Sequence, residues 1–189
     1  MKKVIISTLS IIAFSTTLLS ASTTKEIKIE AKNAIMKMGK TLKMNMKKSM
    51  KKGGVIEAAK FCATRASQIE ADVNKTYKDG VSVKRVTLKP RNSNNSASVD
   101  EQIVLNYLEK LQKDGKSLPK MLVKEVSTGH YKVYKPMIMG GVCLKCHGNT
   151  KNMNKEVVSL IKEYYPNDKA LGYKKGDFRG VFIAEIIKK

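Results

Sequence analysis

The sequence predicts an α+β chain, and three patterns carry that prediction. Apolar residues recur at three- and four-residue spacings over 25–52, alternation marks a strand at 81–88, and apolar runs near the C-terminus read as further strands. In the first segment Ala31, Ile35, Met38, Leu42, Met46 and Met50 form one stripe with lysines between them, a basic amphipathic helix. The pairs Met36/Met38 and Met44/Met46 raise soft-metal binding by thioethers, but helical periodicity accounts for part of the same pattern. Gly53 and Gly54 break this helix. A second over 55–73 carries Val55, Ala58, Ala59, Cys62, Ala66, Ile69 and Val73 on one face, which points Cys62 inward among small alanines that let a flat, bulky group approach closely.

After the strand at 81–88, KPRNSNNSAS reads as a loop. Ile103, Val104, Tyr107, Leu108 and Leu111 predict a helix over 99–113. MLVKEV and GHYKVYKPM predict two strands joined by a short turn, residues 153–164 a helix, and GVFIAEII a closing strand. No internal repeat interrupts this order.

MKKVIISTLSIIAFSTTLLSAS opens the chain with two lysines, an apolar run diluted by Ser and Thr, and small residues at Ser20, Ala21 and Ser22. That pattern predicts a secretory signal peptide over 1–22, with periplasmic export; an uncleaved anchor is the alternative. The remainder divides into the basic helix over 23–53 and a domain over 54–189, together one core of ordinary size. The formal charge of +21 falls to +19 without Lys2 and Lys3. A chain with no Trp, no RNA-binding motif and no helix-turn-helix pattern is a poor nucleic-acid binder. Its positive charge instead suits an acidic redox or signalling partner, or an anionic membrane surface.

The motif is GGVCLKCHGN, residues 140–149. A bare Cys-x-x-Cys serves as a thiol redox pair, half a zinc site or a haem attachment site. A redox pair gives His147 no role, and a zinc site needs about two ligands beyond the paired thiols, with only Cys62, His130 and carboxylates on offer outside the motif. Covalent haem c, one per chain, uses all three: the thiols add to the two vinyl groups and the imidazole of His147 reaches the iron. The export signal agrees with that chemistry. Cys62 then remains as an odd cysteine, either inert filling, an intermolecular link or a functional thiol. As second axial ligand it competes with His130, Met137 and Met139.

AAKFCATRA, RVTLKPRNSNNSA, YKPMIMGGVCLKCHGN and YYPNDKALGYKKGDFRG together resemble the PAS-like single c-type haem domains, a family catalogued as a domain of unknown function and first described structurally from a cyanobacterial lumenal haem protein. The resemblance implies a PAS-like central antiparallel sheet with flanking helices behind the long N-terminal helical region. It also implies haem held by Cys143 and Cys146, with His147 on one side of the iron and Cys62 on the other. Ser93 stands after Asn92 where the family often has Pro, and Leu171 where it has a small hydroxyl residue.

Arg91 and Asn92, in a polar loop, are candidates for the haem propionates, since a guanidinium matches a carboxylate in two hydrogen bonds. Asp177 and Arg179 are expected to pair and shape the turn that holds Tyr173, and His130 to be an ordinary strand residue. The expected function is a redox or gas-responsive haem module that meets a diatomic ligand or a partner protein. A low-potential electron carrier is the alternative. A haem peroxidase would need an open iron position and an acid or base group above it, and no such group stands out.

Overall fold

The protein is described by a computed structural model covering residues 15–188, with side chains from residue 24 onward, so the leader expected over 1–22 lies outside the side chains described. Helix α1 runs Ser15–Thr64. Its spacing puts Ile27, Ala31, Ala34, Ile35 and Met38 on one buried face. The stripe then fades: Met46 and Met50, expected on it, are half-buried. Gly53 and Gly54 kink the helix as the sequence suggests, and Gly54 sits at φ 66, ψ −155, a conformation reserved for glycine. Among the described residues no helix is long and apolar enough to cross a membrane.

The helix expected to run unbroken over 55–73 bends at Arg65 (φ −123, ψ −22) and resumes as α2, Ala66–Asn74. Backbone bonds Arg65 N to Phe61 O and Ile69 N to Arg65 O continue through the bend. The change of direction brings α2 onto strand β1, Val81–Val86. There Asn74 exchanges side-chain bonds of 2.9 and 2.8 Å with the backbone of Val83, and Glu70 accepts from Arg85 Nε at 2.8 Å. No Gly or Pro announces this bend; these tertiary bonds hold it.

Strands β2 (Leu122–Ser127), β3 (His130–Ile138) and β4 (Phe178–Ile187) complete a four-stranded antiparallel sheet in the order β1-β4-β3-β2. Pro136 is tolerated in β3 because pairing with β2 ends at Leu122 opposite Tyr134. One sheet face packs Val83, Val133, Ala184 and Ile186 against α1. The other packs Val86, Tyr134, Val181 and Ile183 against Val104, Leu105 and Leu108 of α3, Val99–Lys113. Ile103 and Tyr107, expected in that core, are exposed instead, because the buried stripe of α3 lies one residue further along.

Ser98 and Glu101 form a capping box at the start of α3. The fully buried Glu101 carboxylate meets Lys84 Nζ at 2.7 Å and Lys132 Nζ at 3.6 Å. The result is the α+β architecture expected, a central antiparallel sheet with helices on both faces. Because α1 supplies half of the larger cluster, residues 23–53 and 54–189 share one core.

Candidate functional site

Beyond β3 the chain turns through a 3-10 segment, Gly141–Cys143, into the short helix α4, Leu144–His147. This compact winding brings the two thiols, three residues apart, close in space. Both are free; Cys143 is exposed and Cys146 half-buried. Gly148 closes the turn, and a Cβ there would lie 2.5 Å from Leu144 O. Cys146 packs against the cluster of Ala59, Val157 and Ile161, which joins the second half of α1 to α5, Lys155–Tyr164.

His147 is held from behind. Its Nδ1 lies 2.8 Å from Ala170 O, and because a carbonyl only accepts, Nδ1 carries the proton and Nε2 keeps a lone pair. Tyr173 N donates to His147 O at 3.0 Å and Gly172 N to Gly148 O at 2.9 Å, so residues 170–173 form a backbone cradle for the histidine. The Tyr173 ring stands edge-on, 6.4 Å between centroids. Met139 is buried with Ala170 and Tyr173 in the same cradle. Burial, with Arg91 and Arg179 nearby, pushes the His147 pKa down to about 3, so the imidazole is neutral at ordinary pH.

Arg91 ties the motif to this cradle. Its Nη2 donates to Cys146 O at 2.6 Å and to Ala170 O at 3.3 Å, while Nε donates to Asp168 Oδ2 at 3.1 Å. The Asp168 carboxylate also receives Ala170 N at 2.7 Å, which shapes the turn that presents the Ala170 carbonyl. Arg91 is therefore a clamp with donors engaged on protein acceptors, rather than a cation waiting in a solvated loop. Asn92 caps the 3-10 turn Ser93–Asn95 through Asn94 N at 3.0 Å and reaches Ser67 Oγ at 3.3 Å.

Cys62 departs from expectation. The sequence pattern points it into the core, but the residue is exposed. Ala58, Ala59 and Ala66 are buried on the same face, while Cys62 between them is left exposed. Even so, burial by surrounding protein raises its pKa, and the Cys146 thiol adds to the rise, against Arg85 and Arg91. Cys62 is thus exposed, yet its thiol lies within electrostatic reach of Cys146, Arg85 and Arg91. Tyr165 Oη donates to Cys62 O and Ala63 O at 3.4 and 3.3 Å and pins this end of the helix.

The other candidates have partners of their own. His130, at the opposite end of β3, has Nε2 2.7 Å from Glu185 Oε1, the ordinary strand role expected. Met137 pairs with Gly180 in the sheet. Asp177 and Arg179 do not pair as expected: Asp177 Oδ2 caps Lys174 N at 2.7 Å. Arg179 Nη1 instead donates to Thr87 Oγ1 and Lys89 O at 2.6 and 3.0 Å, and its guanidinium lies 5.5 Å from the Tyr173 ring. Thr87, on the neighbouring strand end, offers the closer acceptor. Asp168, Tyr165 and the Ala170 carbonyl are site residues the sequence reading passed over. They lie in YYPNDKALGYKKGDFRG, a stretch that carries the family resemblance without assigning them a role. A recess of about 500 Å³ between α1 and residues 76–81 includes no motif residue in its walls.

Two free thiols beside a neutral imidazole with an available Nε2 form the donor set that an iron porphyrin with two vinyl groups requires. The family model described as Tll0287-like matches residues 20–186 of the 189. The chain belongs to the Tll0287-like family. A solved structure titled "Crystal structure of the cyanobacterial heme-protein Tll0287" is similar at 24% identity and a TM-score of 0.49, over 67% of this chain and 77% of that one. Among curated proteins no match is found. In this Tll0287-like chain the family match spans α1, the motif and the cradle alike.

Proposed function

We propose that this Tll0287-like chain is an exported module carrying one haem c. Cys143 and Cys146 are its thioether anchors, His147 and Cys62 its axial ligands, and redox state or a diatomic gas its signal. The observation that carries the reading is the bond from His147 Nδ1 to Ala170 O, since it aims the chemistry of the ring at Nε2. Membership of a family named for a cyanobacterial haem protein supports it.

When bound, the haem supplies an iron that exchanges one electron and a ligand. The chain does the rest. Ala170 O fixes the tautomer and orientation of His147, and burial keeps the ring uncharged. Arg91 locks the Cys146 carbonyl to the Ala170 carbonyl, so attachment and axial ligation share one rigid support. Burial raises the Cys62 thiol, so in the chain itself that sulfur is protonated and neutral.

Three measurements test the reading. Protein made with haem-maturation machinery is expected to be red and to keep its haem on a denaturing gel. Cys143→Ala/Cys146→Ala is expected to lose it entirely, and a colourless wild type overturns the proposal. Cys62→Ala is expected to turn the ferric spectrum high-spin or water-ligated; an unchanged spectrum assigns the sixth position elsewhere. Redox titration with and without carbon monoxide then separates the two roles. A potential that shifts with carbon monoxide supports sensing, and a ferrous form that resists it leaves a low-potential carrier that docks to an acidic partner.

A further inference from the structure

The outer face of α1, opposite the stripe that packs on the sheet, has chemistry of its own. Lys32, Lys40, Lys43, Lys47 and Lys51 are exposed along it, and among the described residues none of them forms an ion pair. Between residues 24 and 56 the carboxylates are Glu26 and Glu30, and Glu30 is already paired with Lys78 and Lys188. Large apolar side chains stand among the lysines: Ile29, Met36 and Met44 are 52%, 39% and 58% exposed. With about 1.5 Å of rise per residue, the row from Lys25 to Lys51 is roughly 39 Å long. At its N-terminal end Lys25, Lys28 and Lys32 rim a recess of about 310 Å³ that also contains Ile29 and Met121.

We propose that this face lies on the surface of an anionic phospholipid bilayer, with the recess taking a headgroup and the start of its acyl chain. A straight cationic row matches a plane of phosphates better than the local patch of an acidic protein. Lysines also extend their charged ends while their stems and the interleaved Met and Ile side chains enter the interfacial layer. The recess, cationic at the rim with apolar residues between, suits an amphiphile for the same reason. This inference stands apart from the haem reading, since no residue in it belongs to the motif.

Sedimentation of the full-length protein with vesicles tests it. Strong binding is expected to phosphatidylglycerol vesicles, falling with added salt, and little to phosphatidylcholine. Each lysine near an anionic surface is worth roughly fivefold in affinity, so Lys32→Gln/Lys40→Gln/Lys43→Gln/Lys47→Gln is expected to weaken binding by at least about tenfold. Ile29→Ser/Met36→Ser/Met44→Ser is expected to weaken it at unchanged charge. Circular dichroism checks that both variants keep their helices, independently of haem content. Equal binding to both vesicle types, or binding that the lysine variant leaves intact, overturns the proposal. Tight binding to soluble polyglutamate, with the serine variant unaffected throughout, assigns the face to an acidic protein and overturns it as well.

Discussion

Before the kink at Gly54, α1 buries Ile27, Ile35 and Met38 against the sheet; after it, the same helix buries Ala58 and Ala59 beside the motif. Large side chains in the first half fill the space between helix and strands and hold them a fixed distance apart. Small ones in the second half let the backbone come close to α5 and to Cys146. The first half is also tied by ion pairs, Glu30 to Lys78 and Lys188, both at 2.5 Å. Among the described residues none is formed by 54–64. One helix thus combines a wall that sets stability with an approach surface that sets the geometry of a site, and its two halves should fail in opposite ways.

Truncation should hurt the first half most. Ile35→Ala is expected to cost about 3 kcal/mol in urea denaturation, from lost burial and the cavity left behind, while the environment of Cys146 is unchanged. Enlargement should hurt the second half. Ala59→Leu is expected to cost about 2 kcal/mol by overpacking against Met153 and Val157, and to change the rate at which Cys146 in haem-free protein is alkylated. If Ile35→Ala alters Cys146 as much as Ala59→Leu does, the division of labour is wrong.

Gly54→Ala probes the junction. With φ at 66 and ψ at −155, an alanine is strained, and a loss of about 1–2 kcal/mol is expected. The smallest effect belongs to Glu30→Gln. Burial pulls the Glu30 carboxyl up, but bonds and charge from Lys188 and Lys78 outweigh it and leave the folded pKa below its ordinary 4.5. Its contribution is therefore full above about pH 4.5 and is lost as pH falls through the lower folded value. Glu30→Gln should be less stable by no more than about 1 kcal/mol at pH 7, since both lysines are solvent-exposed, and should converge with wild type in acid. A gap that persists in acid would assign the loss to packing.

The elements of this fold were legible where one side of the chain meets a continuous surface. Periodicity placed α1, α3 and all four strands, because burial on one face writes its period into the residues. The motif was legible because its three donors are adjacent in sequence. Cys62 shows the limit: periodicity put it on the alanine face, but periodicity records a face and not how much of it is covered, and Cys62 is exposed where Ala59 and Ala66 are buried. The clamp was hidden for a related reason. Arg91 finds its acceptors 55 and 77 residues away at Cys146 and Asp168, and local pattern carries no record of such partners. Asp177 and Arg179, close in sequence, suggested each other, yet Arg179 reaches Thr87 across 92 residues instead.

Strand β4 pairs with β1 on one side and β3 on the other, and lies C-terminal to every other element. Residues 87–177 intervene between β1 and its partner, so the register Val81↔Ile186 closes the longest loop in the sheet. A growing chain can wind α1 and α3 and form the β2-β3 hairpin as each emerges. The sheet face that receives α1 stays incomplete until residues 178–187, which bring Ala184 and Ile186, join it. The β1-β4 and β3-β4 pairings therefore form after the local elements, and completion of the sheet waits on residues 178–187.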